Sequence, residues 1–193
     1  MSKILVISTS LRTRSNSEIL ANEFSRGAKE AGNEVEMITL HGKRIAFCRG
    51  CLSCGKVGHC VIDDDAISIA EKMHDADIIC FASPIYYYEM SGLMKTLLDR
   101  CNSLYFSDYH FRDIYFLCAA AENEAHTPER AIAGLGGWIE CFENARLAGT
   151  VFAGGVENGG DVSGHEAMEE AYRMGRNAKA KVQRIICNKE LTK

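Results

Sequence analysis

Apolar residues along the chain fall into short runs separated by stretches of helical length. The runs are KILVIS (3–8), EVEMITL (34–40), ADIICFAS (76–83), DIYFLCAA (113–120) and LAGTVFAGG (147–155). Most are continuous rather than alternating, the pattern of parallel strands covered on both faces. Between them, residues 16–32 place Ile19, Leu20, Phe24 and Ala28 near one face of a helix ending on Gly32, and residues 63–76 open with carboxylates suited to a helix N-terminus. Residues 91–104, 128–145 and 164–186 complete the helical set; in the first of these Leu93, Leu97 and Leu98 are core positions, and Asp99 with Arg100 is expected to form a buried or interface ion pair. Five strands alternating with five helices predict an α/β doubly wound sheet. No repeat, low-complexity tract or linker divides residues 1–193, so a single domain is expected.

Composition narrows the function classes. The opening MSKILVIS is too short for a secretory apolar segment and is expected to be the first strand. No run approaches the roughly 18 apolar residues of a membrane span, so a cytoplasmic protein is expected. The net charge of −4 carries no basic run, which argues against nucleic acid as the partner. Nine cysteines in a reducing compartment should be mostly thiols, and a tight cluster of them favours metal binding or catalysis over disulfides.

In doubly wound sheets ligands bind beyond the carboxyl ends of the strands, so the strand-end loops carry the candidate chemistry. STSLRTRSNSE after the first strand supplies Ser8, Ser10, Arg12, Ser15, Asn16 and Ser17 at a helix N-terminus, where unpaired N–H groups and the helix dipole attract an anion. Neither G-x-G-x-x-G nor the Walker lysine motif occurs here, so a monophosphate fits better than a dinucleotide or a nucleoside triphosphate. Local capping explains Ser15 and Glu18 alone, as an S-x-x-E box. After the third strand, SPIYYYEM sets three tyrosines behind a turn fixed by Pro84, and aromatics there can stack on or edge a flat heterocycle. Core packing or a subunit contact is the alternative for at least one of them. The third loop, CAAAENEAHTP, offers the small Ala119–Ala121 for close approach and Glu122 for a polar contact. GLGG at 134–137 follows no strand and is expected to be a loosened helix segment.

Cys48, Cys51, Cys54 and Cys60 have the spacing C-x2-C-x2-C-x5-C within a loop at about 47–61. Three thiols in one tight turn resemble a ferredoxin-type cluster run more than the separated knuckles of a zinc ribbon, although no proline follows the fourth cysteine. A 4Fe-4S cluster, zinc, and bare or oxidation-prone thiols all stay open. Gly50, Gly55 and Gly58 would let the backbone wrap an inorganic core, and they equally suit a tight turn. Cys80, Cys101, Cys118, Cys141 and Cys187 lie in strand or helix patterns and are expected to be buried small hydrophobes. The six histidines form no i, i+4 pair, and His59 is expected to be a solvated loop residue. Asp63–Asp65 suit helix capping better than a cation site. No G-x-S-x-G elbow is present.

STSLRTRSNS, SPIYYYEMSGLMKTLLDR and CRGCLSCGKVGHCVIDDD together resemble the flavodoxin-like NADPH-dependent FMN reductases, in particular their iron-sulfur flavoprotein branch. The resemblance covers nearly the whole chain. It implies a flavodoxin-like five-stranded parallel sheet of order 2-1-3-4-5 with helices on both faces. It further implies FMN with its phosphate on Ser10, Arg12, Ser15, Asn16 and Ser17, and Ser83, Pro84, Ile85, Tyr86 and Tyr87 along the ring. Ala120 and Glu122 are the expected third contact, although family members often carry glycine or threonine in that loop. A 4Fe-4S cluster on Cys48, Cys51, Cys54 and Cys60 is implied as well. The expected activity is electron transfer from NAD(P)H, or a reduced carrier such as ferredoxin, to a quinone, flavin or other small acceptor, by a homodimer or homotetramer. A flavodoxin-like carrier without enzymatic turnover is the rival reading, and a structural zinc module a third.

Overall fold

The computed structural model describes residues 1–179. Cys187 and the end of the expected last helix lie outside them. Five long strands form one parallel sheet: β1 (Lys3–Ser8), β2 (Glu34–Thr39), β3 (Ile78–Tyr86), β5 (Asp113–Ala119) and β6 (Arg146–Ala153), in the order β2-β1-β3-β5-β6. That is the flavodoxin-like order implied by the family resemblance, with one added element. β3 runs past the expected end at residue 83 and turns back as β4 (Glu89–Met90), which pairs antiparallel with it through Ile85↔Met90 and Tyr86↔Glu89.

Successive strand residues point to opposite faces, so a continuous apolar strand needs helices on both. Ile4, Val6, Ile78 and Cys80 pack beneath α1 (Asn16–Glu30) and α6 (Glu166–Asn177). Leu5, Ile7, Ile79 and Phe81 pack beneath α3 (Ala66–Asp75), α4 (Gly92–Arg100) and α5 (Glu129–Ile139). Burying each such side chain contributes about 1.5–3 kcal/mol. β2 is an edge strand, and its alternating Glu34 and Glu36 keep that edge wet. α1 and α6 touch backbone to backbone: a Cβ on Gly175 would stand 2.0 Å from the Phe24 carbonyl oxygen, so only glycine fits there.

Several local expectations change. The cysteine segment contains a short helix, α2 (Cys54–Val57), and the helix expected over 91–104 is α4 followed by a 3₁₀ turn at Asn102–Phe106. The 134–137 glycines sit inside α5. Asp99 does not pair with Arg100. It takes Lys95 one turn back at 2.6 Å, because a helix places i and i+4 on one side while i and i+1 diverge. Arg100 faces inward and pairs with Asp64 at 2.6 Å. At α3, Asp65 makes no side-chain cap bond; Asp64 accepts from the Ala66 amide at 3.1 Å, and Asp65 accepts from the Arg44 amide at 2.7 Å. Cys141 is exposed, against expectation, because the helix ends at Ile139 and Cys141 falls in the turn after it, whereas Cys80, Cys101 and Cys118 are buried. Among the described residues no helix is long and apolar enough to cross a membrane.

Candidate functional site

The β1–α1 connection enters the sheet's carboxyl edge by pairing onto β3: the Thr9 amide donates to the Ala82 carbonyl at 2.9 Å. Ser15 then caps α1, its hydroxyl accepting from the Glu18 amide at 3.4 Å. Only this half of the capping box forms. The Glu18 carboxylate turns away and accepts from the Ser8 hydroxyl at 3.0 Å. Ser10, Arg12, Ser15, Asn16 and Ser17 line one end of a cleft of about 180 Å³. The three serines are nearly fully buried, with Ser15 and Ser17 oxygens 3.1 Å apart. Arg12 remains exposed and donates to the Glu157 carbonyl at 2.6 Å.

Asn16 lines this end but has a different task. Its amide nitrogen donates to the Asn158 carbonyl at 2.8 Å, and its oxygen accepts from the Gly160 amide at 2.9 Å. Both ends of the side chain therefore hold the β6–α6 loop against the start of α1. That loop lies tight on the first: a Cβ on Gly159 would come within 3.0 Å of the Thr13 carbonyl oxygen.

The other end of the cleft is lined by Pro84, Ile85 and Tyr86 from β3 and by Ala119–Ala121 at the end of β5. Register places Pro84 beside Ala119, so parallel pairing brings the two loops together. Val156 and Glu157, from the loop after β6, also line it and were not anticipated. The same strand-end rule that singled out the other loops applies to this one, but VEN carries no chemical signature.

Ser83, Tyr87 and Glu122 do not line the cleft. Ser83 is buried, accepting from the Ser91 amide at 2.9 Å and donating to the Pro84 carbonyl at 2.9 Å, and so fixes α4 under the loop. Tyr87 stands 97% exposed at the tip of the β3–β4 turn. Glu122 braces that turn from outside, accepting from the Tyr88 hydroxyl at 3.2 Å and from the Thr127 hydroxyl at 3.3 Å.

These residues fit FMN in character. Buried hydroxyls at the start of a 15-residue helix, with an arginine beside them, suit a phosphate. Three alanines beside a proline, an isoleucine and a tyrosine give this cleft an apolar lining suited to a flat ring.

A second cavity, of about 420 Å³, is lined by Cys48, Cys51, Cys54 and Cys60 together with Leu98, Trp138 and Phe142. It shares no lining residue with the first cleft. Cys141, in the turn after α5, lines it too, a fifth thiol that its sequence pattern did not suggest. All these cysteines are free. Donors reach the four loop sulfurs: the Gly50 amide to Cys48 at 3.4 Å, the Asn102 amide group to Cys54 at 3.3 Å, Arg100 Nε to Cys60 at 3.3 Å, and Ser53, whose hydrogen bonds hold the Cys51 thiol below its usual range. By contrast, burial pushes the Cys101 and Cys118 thiols up to about 12. Among the described residues no three His, Cys, Asp or Glu side chains are gathered as a metal-ligand group. The donor set nonetheless suits thiolate ligation in its chemistry, with four sulfurs on one cavity and hydrogen-bond donors aimed at them.

Comparison with known proteins gives a family and a fold. The profile of the NADPH-dependent FMN reductases matches residues 2–135. An iron-sulfur flavoprotein of Methanocaldococcus jannaschii is 38% identical over 102 residues, 53% of each chain. An iron-sulfur flavoprotein of Archaeoglobus fulgidus is 34% identical over 114 residues, 59% of this chain and 56% of that one. These alignments span about half the length of the curated relatives. Among solved structures, the NAD(P)H:quinone oxidoreductase from Methanothermobacter marburgensis superposes with a TM-score of 0.69 over 91% of this chain and 96% of its own, at 19% identity, a likeness of fold.

Proposed function

The chain belongs to the NADPH-dependent FMN reductase family, and we propose that it binds FMN in the first cleft and moves electrons from NAD(P)H or a reduced carrier to a quinone, flavin or other small acceptor. The observation that carries this reading is the convergence of Ser10, Arg12, Ser15 and Ser17 with Pro84, Ile85, Tyr86 and Ala120 on one cleft at the strand ends. Bound flavin supplies the redox chemistry. The residues of the chain supply the rest: Arg12 and the α1 N-terminus balance phosphate charge, and Pro84, Ile85 and Tyr86 exclude water from one side of the slot. No side-chain nucleophile is required.

The test is titration of the purified chain with FMN, with riboflavin as the phosphate-free control, followed by NADPH under argon. FMN bound more tightly than riboflavin and bleached by NADPH supports the reading; no FMN binding overturns it. Bound FMN that ferredoxin reduces and NADPH does not would make the chain a flavodoxin-like carrier.

The second cavity supports a further element, a 4Fe-4S cluster on Cys48, Cys51, Cys54 and Cys60, which would pass electrons singly. Donors to all four sulfurs support it. Iron and acid-labile sulfide near four per chain after anaerobic purification would bear this out. Zinc alone, or neither metal, would overturn it.

A further inference from the structure

Arg100 is the largest fully buried side chain among the described residues, and its guanidinium is 0% exposed. A buried guanidinium must satisfy five N–H groups. Here each has a partner: Nε donates to Cys60 Sγ at 3.3 Å, Nη1 to the Ala46 carbonyl at 2.8 Å and to Asp64 Oδ2 at 2.6 Å, and Nη2 to the Ile62 carbonyl at 3.0 Å and to Asp64 Oδ1 at 2.9 Å. Ala46 precedes the first loop cysteine and Ile62 follows the last, so one rigid fork grips both ends of the cysteine segment. Asp64 adds a third hold, accepting from the Ala46 amide at 2.8 Å. The segment between is mostly exposed, with Ser53, Cys54 and Cys60 half-buried, and has a single short helix of its own.

We propose that Arg100 is a positioning residue for the cluster site: it clamps residues 46 and 62 together and donates a hydrogen bond to the Cys60 sulfur. This rests on the cluster reading above. The clamp lowers the entropy lost when the loop closes on a ligand. The N–H on sulfur favours the thiolate and makes a cluster that it ligates easier to reduce. Lysine cannot replace it, since an ammonium lacks the planar fork that reaches two carbonyls, a carboxylate and a sulfur together.

The experiment compares R100K and D64N with the wild type, each as the full chain purified without oxygen. Iron and sulfide per FMN, the cluster midpoint potential by EPR-monitored redox titration, and thermal melting are read for each. R100K is expected to keep its FMN while losing most of its iron at limiting iron supply, or to keep the cluster at a more negative potential. D64N retains the Nε–H donor, so it is expected to melt earlier with a potential close to wild type. R100K with wild-type iron and potential overturns the proposal. So does a D64N shift in potential as large as that of R100K, or a loss of FMN from R100K together with iron, either of which makes Arg100 a fold determinant only. A wild-type chain that holds FMN but no iron overturns the cluster reading itself, and this role with it.

Discussion

The Tyr88 hydroxyl donates to Oε1 of Glu122 at 3.2 Å, tying the β3–β4 turn to the segment after β5. The turn needs that hold. Tyr87 and Tyr88 have φ of 51° and 67°, a conformation that hairpin turns ordinarily give to Asn-Gly. Each L-residue there costs about 1–2 kcal/mol. The Tyr88 ring also stacks on His126 at 5.9 Å, with Arg130 5.6 Å from its centre. Replacing Glu122 with Ala is expected to loosen the turn and weaken FMN binding several-fold through Tyr86, with little change in melting temperature. Quenching of FMN fluorescence on titration measures this, and unchanged affinity would contradict it.

At the phosphate end, Arg12 is exposed and, among the described residues, its side chain bonds only the Glu157 carbonyl, so truncating it leaves packing intact. A charged hydrogen bond to phosphate contributes about 1.5–3 kcal/mol. Arg12→Ala should therefore lower FMN affinity by about tenfold or more and leave riboflavin affinity unchanged. Equal losses for both ligands would place Arg12 away from the phosphate.

Cys141 lines the thiol cavity, but its thiol donates to the Gly137 carbonyl of α5 at 3.5 Å. Cys54 instead accepts a bond from Asn102. Iron content of anaerobically purified variants should be unchanged in Cys141→Ser and sharply reduced in Cys54→Ser.

Gly175→Ala forces a methyl group to 2.0 Å from the Phe24 carbonyl oxygen, where only a helix shift makes room. A loss of about 3 kcal/mol is expected. Urea unfolding followed by circular dichroism would register it as a lower midpoint at unchanged slope.

His74 bonds Asp75 at 2.7 Å and Asp108 at 3.1 Å, and lies against His110 at 5.3 Å between ring centres. The Asp75 hydrogen bond, reinforced by Asp108 against partial burial, raises its pKa above the ordinary histidine value. Protonated His74 therefore favours the folded state. That contribution is complete below about pH 6.5, the unfolded value, and disappears as pH rises through the higher folded value. Chemical denaturation across pH 5.5–8.5 should show this decline in the wild type and a flatter profile in His74→Gln.

The strands were legible because burial on both faces demands continuous apolar runs, and Ile78–Phe81 shows that demand without interruption. The β3–β4 turn was not legible. Nothing in YYY announces positive φ, and the turn forms because Glu122 and His126, over thirty residues away, brace it. The serines and Arg12 of the first loop pointed to an anion site by residue type alone, and the structure brings them onto one cleft. Asn16 looked the same in sequence, yet the β6–α6 loop takes up both ends of its amide.

By itself the sequence determined the strand runs, the strand-end loops as the candidate ligand site and the four-cysteine spacing, because these follow from local periodicity and from chemistry carried by neighbouring residues; the sheet order was implied by the family resemblance. Only the tertiary structure decided which side chains are already committed. Arg100 turned from the expected ion-pair partner of Asp99 into the clamp on residues 46 and 62, Ser83 went to α4, and Cys141 joined the thiol cavity. The physical reason is that a buried donor must find its acceptor wherever folding brings one, and sequence distance sets no limit on where that is.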